Sequence, residues 1–412
     1  MVSVQAHRRN EGREDGLVPT ADSGVYPSAG QRPLRVAFVA SSYNYIKDGV
    51  ALTLNRLVAY LERQGVEVLV FAPVGKVPAF AHHGTVVPVP SMSLPPRPEY
   101  RLAFGLGRQA ADRLRAFRPD IIHIALAPDF LGYSALKAAQ RLQIPVVASY
   151  HTRFETYLKH YWYVAGLAGL VRRYLRRSYG ACREVYVPSQ SMIDALLADG
   201  FRNNFRLWPR GVDTARFNPG KRSVSWRAKH GISESELVVV FISRLVREKR
   251  LDTLAAALRL MEAGRIAHRC VVVGDGPERA TLERQLPHAV FTGFLEGEEL
   301  AEAYASSDVF IFPSETETFG NVTLEAMASG LPCVCADATG SRSLVAHGRT
   351  GYLAKPGRAQ EFADHIVTLA RDPKLRRQMG AAARERSLEF SWDESMARIH
   401  GYYKSLLAET PA

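Results

Sequence analysis

Two rhythms of apolar and polar positions alternate along this chain. Short continuous apolar runs read as buried strands. Each is followed by a stretch whose apolar residues recur three and four positions apart, as on one face of a helix. "LRVAFVA" (34–40) is the first run, followed by the loop "SSYNYIKDGV" and the helical pattern "LTLNRLVAYLERQG", closed by Gly65. "VEVLVFAP", "PDIIHIAL", "IPVVASYH" and "REVYVPS" continue the series. This is the strand–helix–strand order that builds parallel sheets. "LWPRGVDTARFNPGKRS" (207–223) breaks it, with the Pro, Gly and Arg content of an interdomain linker. The order then restarts with "LVVVFISRL", "RCVVVGDGP", "DVFIFPS", "LPCVCAD" and "GYLAKP". The expected architecture is α/β, with two doubly wound, Rossmann-like parallel-sheet domains facing a cleft. In such sheets ligands bind outside the carboxyl ends of the strands.

Composition fits this picture. A chain of 412 residues, 47% hydrophobic and 23% charged, has room for two globular domains. Residues 1–33 are polar, without an apolar core, and read as a disordered tail rather than a secretion signal. The longest apolar run, Tyr161–Val171, is far short of the roughly 20 residues of a membrane span. A soluble or peripheral protein is expected. Cys182, Cys270, Cys333 and Cys335 have no metal-binding spacing and read as buried free thiols, with Cys333 and Cys335 on opposite faces of a strand.

Charge adds a second theme. The net charge is +12, and His151 to His230 holds fifteen Lys and Arg against five Asp and Glu. "HYWYVAGLAGLVRRYLRRSYG" (160–180) joins an aromatic, apolar half to Arg172, Arg173, Arg176 and Arg177. That combination suits an anionic membrane surface. A domain helix with a solvated basic face is the plainer alternative. A nucleic-acid-binding protein is the non-enzymatic reading of a basic chain. Against it, the excess surrounds an apolar segment and no nucleic-acid module is recognisable.

Four stretches carry candidate chemistry, each at the end of an expected strand. In "FISRLVREKR", Arg244 and Lys249 are two cations placed to clamp a diphosphate. In "VVVGDGPERATLERQL", Gly274 and Gly276 let backbone approach a ligand at a helix start. In "SETETFGNVTLEAMASG" (314–330), Glu317 precedes the backbone N–H groups of Phe319 and Gly320, and the helix starts near Gly320 or Asn321. Glu317 can accept hydrogen bonds from hydroxyls, and Glu325, further into the helix, can accept two from a vicinal diol such as a ribose. In the first half, His151 follows "VVASY", and Gly49 sits before the first long helix.

"SRLVREKR", "VVVGDGP", "PSETETFGNVTLEAMASGLP" and "SYHT" together resemble the family-4 glycosyltransferases of the GT-B fold. The resemblance implies a donor diphosphate on Arg244 and Lys249, and donor sugar hydroxyls on Glu317 and the backbone of Phe319, Gly320 and Asn321. It also implies the ribose on Glu325, His151 by the sugar and Gly49 by the phosphates. The base would lie near Gly274–Pro277 and Gly293–Leu295, including Phe294. It further implies an N-terminal acceptor-side domain over 34–213, a nucleotide-sugar domain over 214–391, and a last helix (392–412) crossing back to the first domain. "DGVALTLNRLVAYLERQGVEVLVFAP" and "SYHTRFETYLKHYW" are similar to the branch holding GDP-mannose-dependent α-mannosyltransferases and diacylglycerol glycosyltransferases. The expected activity is therefore retaining transfer of a hexose from a nucleotide sugar, GDP-mannose first and a UDP-sugar as the alternative, to a lipid or glycan acceptor. The expected place is the cytoplasm, at the inner face of the plasma membrane. The nucleotide sugar is a substrate. No cofactor or metal is expected, and no Asp-x-Asp motif is present. The family usually carries Gly-Gly-x-x-Glu in the next loop, whereas this chain has "TGSRSLV" (339–345), with Gly340 kept and Ser343 near the place of the acid.

Overall fold

Runs such as VVVFI and VFIF, buried along their whole length, can be strands only in a sheet covered on both faces. The computed structural model describes residues 32–94, 97–125, 127, 129–153, 166 and 168–409. Nearly all of the tail expected over 1–33, and the aromatic part of the 160–180 stretch, lie outside the described residues.

The first lobe begins with β1 (Arg35–Ala40), β2 (Glu67–Ala72) and β3 (Thr85–Pro88). β4 (Ser91–Leu94) and β5 (Arg97–Ala103) form a separate antiparallel hairpin. β6 (Ile121–Ala125), β7 (Val146–Ser149), β8 (Glu184–Val187) and β9 (Phe205–Leu207) complete a parallel sheet ordered β3-β2-β1-β6-β7-β8-β9. The second lobe holds β10 (Val238–Ile242), β11 (Arg269–Val273), β12 (Val290–Gly293), β13 (Val309–Phe312), β14 (Cys333–Ala336) and β15 (Gly351–Ala354). They form a parallel sheet ordered β12-β11-β10-β13-β14-β15. This is the doubly wound order. It reverses between β1 and β6 in one lobe and between β10 and β13 in the other, and a crevice opens at each reversal.

Helices cover both faces of each sheet. Gly49–Arg63 shows the pattern: Asp48 caps its start by accepting from Ala51 N at 2.8 Å, and Leu54, Leu57, Val58 and Leu61 form its buried stripe. The four cysteines are buried and free. Cys333 and Cys335 do not face opposite ways: both sulfurs lie near Thr323, within 4.0 Å. Residues two apart on a strand share a face.

The segment read as a linker is a buried crossing. Trp208 is fully enclosed, and Arg210, Val212 and Phe217 are buried. Its apolar residues find a core that composition alone conceals. The last helix, Trp392–Glu409, buries Met396, Ile399, Tyr403 and Leu406 in one core with Val36, Phe38 and Leu57 of the first lobe. Tyr403 Oη meets His123 Nδ1 of β6 at 2.5 Å. The two crossings run side by side, with Val212 N donating to Phe390 O at 3.0 Å.

Gly211 marks their closest approach, since a Cβ there would stand 2.3 Å from Trp392 N and 2.6 Å from its Cα. Both atoms are backbone and cannot swing aside. Gly211→Ala is therefore expected to cost about 1–3 kcal/mol through overpacking, read as a lower melting temperature in calorimetry. An unchanged melt would show that the crossings yield freely.

Candidate active site

The loops that leave β10 and β13 bring Arg244, Lys249 and Glu317 together. Lys249, 7% exposed, forms a short ion pair with Glu317 in the loop after β13. Ser314 Oγ also donates to Glu317 Oε1, at 3.1 Å. Burial alone would raise the Glu317 carboxyl, but Lys249, Ser314 and Arg244 together outweigh it and hold the group below its ordinary value. Glu317 is thus a carboxylate, able to accept from hydroxyls. Its backbone is fixed from the start of helix Thr339–Leu344, where Thr339 Oγ1 and Gly340 N donate to Glu317 O at 2.7 and 3.0 Å.

Arg244 leaves the end of β10 and reaches across the cleft, donating to Tyr100 Oη of the first lobe at 3.1 Å. Gly274 and Gly276 support this turn. A Cβ on Gly274 would stand 1.9 Å from Ser243 O, and one on Gly276 2.4 Å from Leu245 O. Their φ values, +127° and +158°, also favour glycine. The close approach that these glycines allow is to the Ser243–Leu245 backbone, which carries Arg244.

The first lobe supplies the facing edge. Gly49 opens its helix rather than lying in the preceding loop, and its Cβ position is 3.7 Å from Asn321 Nδ2. Asn321 opens helix Asn321–Ala328, so two helix N-termini, one from each lobe, meet at this point. Their dipoles favour an anion, although Asp48 already takes the Ala51 N–H at the first of them. Burial raises the Asp48 carboxyl beside Gly49, against its bonds to Ala51 and Ser42 and the charge of Arg244. His151 follows β7, with Nε2 2.7 Å from Ser149 Oγ and Nδ1 3.0 Å from Arg210. Thr318, next to Glu317, donates through Oγ1 to His151 O at 2.9 Å. Ser189 Oγ donates to Thr318 O at 3.0 Å. Ser343, in the departing "TGSRSLV" stretch, lies on helix Thr339–Leu344 and meets Ser191 across the lobes at 2.7 Å.

Glu325 stands apart from this cluster. Burial pushes its carboxyl up to about 7, against the pull of Tyr304, Arg56 and Arg216. Tyr304 carries one hydroxyl hydrogen and has Val322 O and Glu325 Oε2 both at 3.1 Å. Phe319 is 4% exposed and packs edge-on against Phe390, so its side chain belongs to the core and only its backbone can meet a ligand. Phe294, beyond the end of β12, is 70% exposed. Tyr100, Asp48 and Arg210 are the neighbours that the sequence reading missed. For Arg210 a signal existed, since Trp208 and Val212 flank it in a stretch otherwise polar. Among the described residues, no group of three His, Cys, Asp or Glu could hold a metal ion.

Two family models match the chain: "Glycosyltransferase Family 4" over residues 47–216 and "Glycosyl transferases group 1" over residues 223–386. A GDP-mannose-dependent alpha-mannosyltransferase of Mycobacterium tuberculosis is 36% identical, over 90% of this chain and 97% of its own length. The sulfoquinovosyl transferase of Arabidopsis thaliana is 35% identical, over 90% of this chain and 74% of its own. An alpha-monoglucosyldiacylglycerol synthase of Streptococcus pneumoniae is 28% identical, over 73% and 70%. Among solved structures, a sucrose-phosphate synthase of Thermosynechococcus elongatus has a TM-score of 0.75 at 22% identity, covering 92% of this chain and all of its own. Anabaena HepE in complex with UDP and glucose has a TM-score of 0.69 at 23% identity, covering 90% of this chain and all of its own. With paired doubly wound sheets, charged loops at their facing edges and a mycobacterial relative matched along 97% of its length, this chain belongs to glycosyltransferase family 4 and is a glycosyltransferase of the GT-B fold.

Proposed function

We propose that the enzyme moves a hexose, mannose from GDP-mannose, to a lipid or lipid-linked acceptor with retention, forming an α-glycoside. The observation that carries this reading is the meeting of Arg244, Lys249 and Glu317 at the second-lobe crevice, opposite the helix start at Gly49. Breaking the anomeric bond leaves negative charge on the nucleoside diphosphate. Arg244, Lys249 and the two helix starts lower the energy of that charge without a metal. Glu317, held ionised by Lys249, accepts from sugar hydroxyls, a better use of a paired carboxylate than nucleophilic attack. Glu325 accepts from the ribose, and exposed Phe294 with the Gly274–Gly276 turn lies toward the base. The mannosyltransferase relatives at 34–37% identity favour the GDP donor. The streptococcal relative favours a second reading, a UDP-sugar-dependent diacylglycerol glycosyltransferase.

A lipid acceptor is supported by the surface of the first lobe. Phe104, Phe130 and Tyr133 are exposed around an apolar groove of about 400 Å³ with Lys137 and Arg141 at its side. Helix Ala168–Gly180 buries Leu175 and Tyr179 and leaves Arg173, Arg176 and Arg177 exposed. No helix among the described residues is long and apolar enough to cross a membrane. The enzyme works in the cytoplasm, peripheral to the inner face of the plasma membrane.

Three measurements bear on this reading. Arg244→Ala and Lys249→Ala are each expected to cut turnover at least ~100-fold; near-normal turnover in both would overturn the clamp. Calorimetry with GDP and UDP should find GDP the tighter ligand. UDP binding tenfold tighter, about 1.4 kcal/mol, would replace the GDP-mannose reading with the second one. An arginine near an anionic bilayer contributes roughly 1 kcal/mol, so changing exposed Arg173, Arg176 and Arg177, together with half-buried Arg172, to Gln should largely abolish liposome binding. Binding equal to wild type would make the patch a solvated face.

A further inference from the structure

Arg210 is a buried cation to which the transfer chemistry above assigns no role. It is 5% exposed. Its guanidinium stacks on Trp208, with Cζ 4.2 Å from the ring centroid. It donates to Trp208 O at 3.2 Å and to His151 Nδ1 at 3.0 Å. No carboxylate pairs with it among the described residues, and burial pulls it down to about 9, so it is still charged at neutral pH. Enclosing a guanidinium without a counter-charge costs several kcal/mol. Something at this position must justify that cost.

The geometry with His151 supplies it. Arginine can only donate, so His151 Nδ1 must accept. An imidazolium has no lone pair to accept with. While this contact stands, the ring is neutral and its hydrogen sits on Nε2, which donates to Ser149 Oγ at 2.7 Å. Trp208 holds both partners, with Arg210 on its face and the His151 ring T-shaped to it at 5.7 Å. Behind Trp208 lies His123, its centroid 6.2 Å away, bonded in turn to Tyr403 of the last helix. We propose that Arg210 is a positioning residue that fixes His151 as the neutral Nε2–H tautomer, so that His151 lies beside the donor sugar as an uncharged ring, its one N–H held by Ser149, and not as a cation or an acid. This rests on the reading of His151 as a donor contact.

The charged and titratable groups around the ring agree. Arg210 comes from the crossing segment and His123 from β6. From the second lobe, Thr318 touches the His151 carbonyl, and the carboxylate beside it, Glu317, is already held by Lys249. No carboxylate there draws a proton onto the ring. Burial, then Arg210, then His123 push His151 well below its ordinary range. The lock makes the rate indifferent to the pH at which a free histidine would charge, about 6.5.

The test is nitrogen NMR of histidine-labelled, full-length, ligand-free protein from pH 5 to 8, with His151→Ala identifying the resonance. Wild-type His151 is expected to keep the Nε2–H neutral pattern throughout. In Arg210→Met it should titrate, with its midpoint moved toward about 6.5. kcat/KM for donor hydrolysis should then gain an acid limb there, falling about tenfold per pH unit below the midpoint. Arg210→Lys, which keeps a cationic donor, should restore the flat profile. A wild-type ring protonated on Nδ1, or titrating near 6.5, overturns the proposal. So does Arg210→Met with an unchanged resonance and profile. Should Arg210→Met fail to fold, the wild-type tautomer decides alone. The tautomer is read without substrate, so it stands apart from the donor assignment. An intact lock with donor affinity unaltered in His151→Ala would overturn the donor-contact reading instead.

Discussion

Every strand of a parallel sheet points the same way, so every loop leaving a carboxyl end leaves from one edge. The rest of this molecule depends on that constraint. Two such edges face each other, and the residues on them come from segments far apart in sequence. Lys249 and Glu317 are 68 positions apart, and Arg244 and Tyr100 are 144 apart. The lobes are held in this relation by two chain crossings bonded side by side, and by a last helix whose apolar face belongs to the core of the first lobe.

Within the cleft, buried charge is disciplined pairwise. Glu317 keeps its charge because Lys249 lies against it, whereas Glu325, bonded to the Tyr304 hydroxyl, rises toward neutrality. These two glutamates sit in one short stretch of sequence, yet they present different chemistry to a ligand. His151, beneath a guanidinium, stays neutral for the opposite reason. Burial alone would push all three groups to their uncharged forms. Glu317 resists because Lys249, with Ser314 and Arg244 behind it, outweighs burial.

Much of this was legible in the chain. The apolar runs from VAFVA to VFIF announce strands because a strand covered on both faces has no polar side to show. Glu317, Arg244 and His151 stood out by following such runs. The partners did not, because a contact between distant segments leaves no local pattern. Tyr100 lies on a hairpin with weak alternation, and nothing around Lys249, itself singled out as a clamp cation, says that its partner is Glu317. The Gly274 and Gly276 turn was readable as a close approach, but the sequence does not say that the approaching atoms are Ser243 O and Leu245 O. Arg210 was hidden by composition, since Pro, Gly and Arg around it suggest solvent while Trp208 and Phe217 carry the segment into a core.

The hydroxyl of Tyr304 has a consequence for how this enzyme senses its surroundings. One hydrogen lies within reach of both Val322 O and Glu325, and burial lifts the Glu325 carboxyl to about 7, so that it holds a proton more readily than an ordinary glutamate. A diol that engages both oxygens of Glu325 as acceptors must displace whatever proton is there. On the proposed ribose contact, donor capture would be an exchange, nucleotide in and hydrogen ion out. The heat it releases would vary with the buffer that receives the ion, and acidity would compete with the nucleotide for the same two oxygens.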